Sequence, residues 1–515
     1  MSIPIFILWV VSIPLSLIHA DDFPAPRGFL VSCGSTKSID INGLKYIPDQ
    51  SFISVGNVTN VKNNTNQVFP ILSELRFFPD KSARKSCYLF LVTKGAKYLI
   101  RTSYYYGNFD GRNNPPVFHQ IVDGTRWSIV NTTEDYVKGR ASYYEIVMVA
   151  QSKVLSICLA RNEYTAGVSS PFISALEVMN LGDSLYKAVD LQKYALGTVA
   201  RHIFGYGDGD NGEANFISYP DDEFHRMWQQ FKDSNPIVKC QSNVTPSDFW
   251  NMPPSKALNS AITASRGRSL QIQWPPMPLY GNNYHISLYF QDNRTPSPYS
   301  WRVFNVLING DTFYSKLNVT TTGVNVYSNQ WPFNGQTQIK LVPDNGTPVG
   351  PVINAAEMFQ LIPLGGKTTS RDVIAMAELA RSLNNPPSDW SGDPCLPRQN
   401  SWSGVTCSQT KDLAQVASMN LTGLGLTGSL STSMGNLSAI VHLWLGHNKL
   451  SGSLPDLSSM KMLQTLHLEN NQFEGSIPES LSNLPNIREI YLQNNKFKGG
   501  IPNGLKNRRS VTIQI

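Results

Sequence analysis

A chain of 515 residues exceeds one ordinary domain, and its 41% hydrophobic and 10% aromatic content supplies core material for about three. The net charge of +6 is spread thinly, without a basic helix or a dense Lys/Arg run, which excludes nucleic acid as the expected partner. The only local basic cluster, Lys506, Arg508 and Arg509, reads as a solvated end.

Residues 1–20 are apolar, lack Lys and Arg, and end at Ala20 before Asp21 and Asp22, the pattern of a secretory signal peptide. Pro4 and Pro14 argue against a membrane helix there, and no later stretch reaches the roughly 20 apolar residues of a span, so a soluble mature chain is expected. Secretion agrees with nine Asn-x-Ser/Thr acceptors, at Asn57, Asn63, Asn131, Asn243, Asn293, Asn318, Asn345, Asn420 and Asn436. It also agrees with six cysteines, an even set suited to an oxidising compartment; the pairing of Cys33, Cys87, Cys158 and Cys240 is left open.

From residue 27 to 365 the chain reads as all-β and repeats itself. Tyr98–Tyr104 is echoed by Tyr284–Phe290 and Phe118–Gly124 by Phe304–Gly310, both at an offset of 186, while Pro171–Glu177 is echoed by Pro351–Glu357 at 180. Three matches in the same order predict two tandem copies, 27–180 and 201–365, joined by residues 181–200. Runs such as Tyr143–Val149 and Trp301–Ile308 are β-branched and aromatic, and Asp-Gly and Asn-Gly dipeptides cut them, as in a sandwich or jelly roll.

Residues 366–415 read as a cap. Val373, Met376, Ala377, Ala380 and Leu383 recur at helical spacing behind Ser370 as N-cap, and Cys395 and Cys407 stand twelve apart just before the next element. A solenoid's first unit has no stacking neighbour, so a helix and a Cys395–Cys407 disulfide there would shield its open core. Over 416–510, Val416, Ile440, Leu463 and Ile487 open units of the form LxxLxLxxNxLxGxIPxxLxxLxx, spaced 24, 23 and 24 residues. That period predicts four leucine-rich repeats, an α/β solenoid that presents a surface and carries no catalytic chemistry of its own.

Trp390–Cys395, Trp402–Cys407 and the Gly-x-Ile-Pro repeats resemble the cap and repeats of plant leucine-rich-repeat receptor kinase ectodomains. Arg76–Pro79, Cys87–Tyr88, Tyr98–Gly111, Pro171–Glu177 and Tyr219–Asp222 are similar to the malectin-like domain that precedes those repeats in one receptor subfamily. The resemblance covers nearly the whole mature chain and implies tandem malectin-like domains followed by the solenoid. It also implies cell-surface recognition of a peptide, a glycan or a partner receptor ectodomain. No glycine-rich phosphate loop with its lysine, His-Arg-Asp loop or Asp-Phe-Gly follows the repeats, so kinase activity is not carried over. The alternatives are a soluble cell-wall carbohydrate binder and a truncated isoform of a receptor-like Ser/Thr kinase.

Two candidate sites follow. In LxxLxL the residues between leucines point outward, so Asn420, Trp444, His467 and Tyr491 form a central column. His442, Thr465 and Glu489 flank it on one side and Thr422, Glu469 and Gln493 on the other, a composition typical of interfaces. Malectin binds glucose-containing disaccharides, so the resemblance implies a sugar site, for which Tyr104, Tyr105, Tyr106, Asn108 and Asp110 supply rings and polar groups. No cofactor or metal is expected. Gly205–Gly212 lacks the Lys-Ser/Thr of a phosphate loop and the acidic twelfth position of a calcium loop, His442 and His447 have no third ligand, and there is no Gly-x-Ser-x-Gly elbow.

Overall fold

The computed structural model describes residues 27–62, 69–165, 169–205, 216–239, 249–292, 294 and 301–515. The signal-peptide segment, Asn63, Asn243, Asn293, Cys240 and most of Gly205–Gly212 lie outside the described residues.

Alternating apolar runs between residues 28 and 363 build one long sheet. Its core order is Gly28–Ser32, Ala175–Asn180, Lys97–Tyr104 and Ser142–Val149, then Tyr194–Phe204, Ala355–Pro363, Leu279–Phe290 and Val324–Gly335. All these neighbours pair antiparallel, and the second block of four repeats the connectivity of the first. Each block is covered by a four-stranded sheet of matching order. These are Ser86–Leu91, Val154–Ala160, Phe118–Val122, Thr125–Val130, and then Leu270–Gln273, Gln338–Pro343, Arg302–Ile308, Asp311–Val319. Inward residues of facing sheets form the cores, Ile100, Ile146 and Val178 with Val122 and Ile157 in one block, Ile286 and Met358 with Val306 and Ile339 in the other.

The strand Tyr194–Phe204 starts inside the 181–200 segment expected as a connector. The reason is that Leu196 and Gly197 pair with Val147 and Ile146 on the edge of the first block, which makes the two blocks one sheet.

A row of charges crosses that joint on one face. Tyr46 donates to Glu177 at 2.8 Å, and Arg101 bridges Glu177 at 2.6 Å and Glu145 at 2.9 Å. Arg201 then bridges Glu145 at 2.6 Å and Glu357 at 2.7 Å, and Tyr289 donates to Glu357 at 2.7 Å. Every charge in the row is buried and met by an opposite one, the condition under which buried ions are tolerated. Burial alone would raise the pKa of Glu145, but Arg201 and Arg101 outweigh it and pull it down to about 2.

The cap helix runs Ser370–Ser382, with Thr369 rather than Ser370 as N-cap, its side chain accepting from the Asp372 amide. Its buried face is Asp372, Ala375, Met376 and Leu379; Asp372 points inward because it accepts a 2.7 Å bond from the amide of Val416, on the first repeat strand. Cys395 and Cys407 are bonded, and Trp390 and Trp402 stack 5.2 Å apart beside them. A second disulfide joins Cys87 and Cys158 on paired strands, and Cys33 is a buried thiol.

The repeats form two parallel sheets. Strands Leu413–Asn420, His442–Trp444, Thr465–His467 and Glu489–Tyr491 line one side, and the end of the chain adds a fifth, Thr512–Gln514. The motif asparagines explain the fixed period. Asn448 donates to the carbonyls of Leu421 and Leu445 and accepts from the Leu426 amide, and Asn471 repeats this one unit later with Leu445, Leu468 and Leu450. Each therefore satisfies backbone groups that the turn between the two sheets would leave orphaned.

Candidate functional site: the concave face of the repeats

Parallel pairing in register stacks equivalent residues of successive repeats. Asn420 lies opposite Trp444, Trp444 opposite His467, His467 opposite Tyr491, and Tyr491 opposite Gln514. The rings form a continuous row. His442 and Trp444 stack with centroids 5.2 Å apart, Trp444 and His467 lie at 6.0 Å, and His467 stacks on Tyr491 at 4.4 Å with planes 20° apart. Because the rings cover one another's faces, the row presents edges to its surroundings, and all four rings are half-buried.

Polar neighbours fix the rings. Thr465 Oγ1 accepts from the indole of Trp444 at 2.8 Å and lies 3.0 Å from His442 Nδ1, while Glu489 lies 3.4 Å from His467 Nε2. On the opposite flank Glu469 is half-buried beside Gly446, where a Cβ would meet its Oε1 at 2.2 Å. Asn420, at the head of the column, is exposed and belongs to an acceptor triplet.

The sugar-site expectation is corrected at Tyr104 and Tyr106. Tyr104, Tyr105 and Tyr106 are 0%, 4% and 1% exposed and belong to the core. Tyr104 packs on Phe118, Tyr144 and Phe172, and Tyr106 on Phe109, Tyr136 and Phe172, so their faces are taken by protein. The Tyr106 hydroxyl donates to Asp110, and Asn108 sits at φ 52° in the turn, accepting from the Asn113 amide at 2.9 Å. These polar groups build the loop and do not converge with exposed rings on a sugar.

A concavity not read from the sequence lies elsewhere. A cleft of about 1010 Å³ is floored by Arg101, Ser103, Tyr105 and Tyr143, so that Tyr105 alone of the three tyrosines lines it, and is walled by the Ile41–Tyr46 hairpin and by Phe216–Gln230. Its walls come from segments more than 170 residues apart, so no local motif announces it. Among the described residues no cluster of His, Cys, Asp and Glu could hold a metal, and no helix is long and apolar enough to cross a membrane.

A malectin-like domain model matches residues 31–361, well over half of the chain. The chain belongs to the malectin-like domain family. A leucine-rich-repeat N-terminal domain matches 369–408, and leucine-rich repeats match 462–484 and 486–507. The probable receptor-like serine/threonine-protein kinase PAM74 of Arabidopsis thaliana is 30% identical over 420 residues, 79% of this chain and 45% of the relative. The leucine-rich repeat receptor-like serine/threonine-protein kinase At2g14510 of the same plant is 31% identical over 409 residues, 78% and 45%. The chain thus spans about half the length of the relatives it matches. Among solved structures, the Arabidopsis thaliana ANX2 ectodomain superposes with a TM-score of 0.54 at 16% identity, covering 65% of this malectin-like chain and 97% of ANX2. A plant complex of the peptide RALF23 with FER and LLG2 contains a chain of TM-score 0.52 at 16% identity, covering 66% and 96%. These two likenesses show a shared fold.

Proposed function

We propose that this malectin-like, repeat-bearing chain is an extracellular receptor-like recognition protein whose repeats capture a peptide or a partner receptor's ectodomain at the plant cell surface. The in-register row His442, Trp444, His467 and Tyr491 carries the reading, since long aromatic side chains held on a rigid concave sheet are what partner surfaces use as anchors. The relatives' names support a receptor role, and the exposed asparagines at Asn57, Asn131, Asn318, Asn345, Asn420 and Asn436 suit a glycosylated, secreted surface. No catalytic role is assigned to these residues. The β half, read as copies 27–180 and 201–365, then serves as a rigid platform for the repeats.

The test places a photo-reactive group at Thr465 on the chain displayed at the cell surface. A crosslinked peptide or ectodomain is expected, and Trp444→Ala with Tyr491→Ala should reduce its yield tenfold or more; an unchanged yield overturns the proposal. A second reading, glycan recognition by the malectin-like half, is favoured by the cleft at Arg101, Ser103, Tyr105 and Tyr143 rather than by Tyr104 and Tyr106. A glycan array probed with the chain and its Tyr143→Ala variant tests it, and absence of binding to every oligosaccharide removes it.

A further inference from the structure

The concave face carries carboxylates and lacks a cationic side chain. Its central column is Asn420, Trp444, His467, Tyr491 and Gln514, and the flanking columns add Glu489 on one side and Glu469 and Gln493 on the other. None of the three columns contains Lys or Arg; the nearest, Arg488, precedes the strand Glu489–Tyr491. Glu469 Oε2 and Gln493 Oε1 are both enclosed, and among the described residues neither receives a hydrogen bond. An enclosed carboxylate oxygen without a donor is costly, so it marks a place where a donor from outside is expected. Gly446 leaves room for that carboxylate itself, which lies across the position that a side chain there would fill.

We propose that this face selects a peptide segment carrying arginine or lysine, whose cationic heads meet Glu469 and Glu489 on the two sides of the ring row. The inference rests on the concave face being the partner surface and names the chemistry that surface prefers. The aliphatic stem of an arginine or lysine is apolar and its head charged, so it can lie along the edges of Trp444, His467 and Tyr491 while its donors reach the carboxylates. A neutral hydroxyl ligand could satisfy the acceptors but would leave two carboxylates without a counter-charge. An acidic ligand would add like charges, and electrostatic complementarity works against it.

The probe is a fluorescein-labelled peptide of alternating arginine and serine, compared with versions carrying citrulline or glutamate in place of arginine, titrated into the full glycosylated chain by fluorescence anisotropy. The basic peptide should bind at least tenfold more tightly than either counterpart. Glu469→Gln with Glu489→Gln should weaken it about tenfold, and Glu474→Gln, on the opposite sheet, should leave it unchanged; melting curves confirm that all variants fold. Equal binding of the citrulline peptide, or no effect of the Glu469/Glu489 pair, overturns the proposal. Should Trp444→Ala with Tyr491→Ala abolish crosslinking of the natural partner while the glutamate pair does not, the partner surface stands and its preference for a basic segment fails. Should the ring variant leave that crosslinking intact, the partner surface itself fails.

Discussion

Three consecutive tyrosines show how one residue type takes its role from where the strand ends. Lys97–Tyr104 alternates in the sheet, but past Tyr104 the chain turns at Gly107 (φ 45°) and Asn108, and Tyr106 packs on Phe109 of that turn while Tyr105 lines the cleft. Tyr104 and Tyr106 therefore share one interior. Tyr106→Ala should consequently lower folding stability by about 3–5 kcal/mol, read from denaturant unfolding, because it empties a well-packed site. A variant as stable as the parent that merely loses glycan binding would restore the sugar-site reading. The sequence shows that aromatic residues are concentrated here but not which way the loop closes, since that depends on Phe109, Tyr136 and Phe172, contributed by separate segments.

At the scale of elements, legibility follows from how far apart in sequence the partners lie. The repeat strands were readable because each partner lies one period away, so spacing alone aligns Trp444 with His467 and Tyr491. The charged row was not, because Arg101, Glu145, Arg201 and Glu357 are isolated positions in four strands spread over 256 residues, each resembling an ordinary polar residue of an alternating strand. Only the order of strands brings them together. Glu145 is held between two guanidiniums from different blocks, so Glu145→Gln should cost about 3–5 kcal/mol by leaving buried positive charge uncompensated. The pH dependence has a definite sign. With its pKa depressed in the fold, Glu145 contributes stability that is fully present above the ordinary carboxylate range and is lost as pH falls toward about 2. Denaturation measured from pH 2 to 7 should show the parent losing stability on acidification more steeply than Glu145→Gln, and parallel curves would contradict this assignment.

For the molecule as a whole, the question is whether the repeats hang from the β half or are seated on it. Lys85 is buried and donates to the carbonyls of Asp393 and Leu396, Arg84 reaches Ser401 at 3.0 Å, and Asn400 donates to the Arg84 carbonyl at 3.1 Å. Burial lowers the pKa of Lys85 to about 8 despite the nearby Asp393 and Asp389, the mark of a cation enclosed by the joint. At its centre Gly392, at φ 70°, lies against the Cys87–Cys158 disulfide, and a Cβ would come within 3.0 Å of Cys87 Sγ and 3.3 Å of Cys158 Sγ. Gly392→Val would therefore strain the backbone and also push the cap away from its seat. Neither the Cys395–Cys407 bond nor the asparagine ladder includes that contact, so the repeats should remain folded. The expected result is a larger radius of gyration by small-angle scattering and two thermal transitions where the parent has one. An unchanged scattering curve with a single transition would show that the contact at Gly392 does not govern the placement of the repeats. In that case the orientation of the ring row relative to the β half would rest on the remaining bonds of the joint, among them those of Lys85, Arg84 and Asn400 and the Ser388 hydroxyl's bond to Asp80.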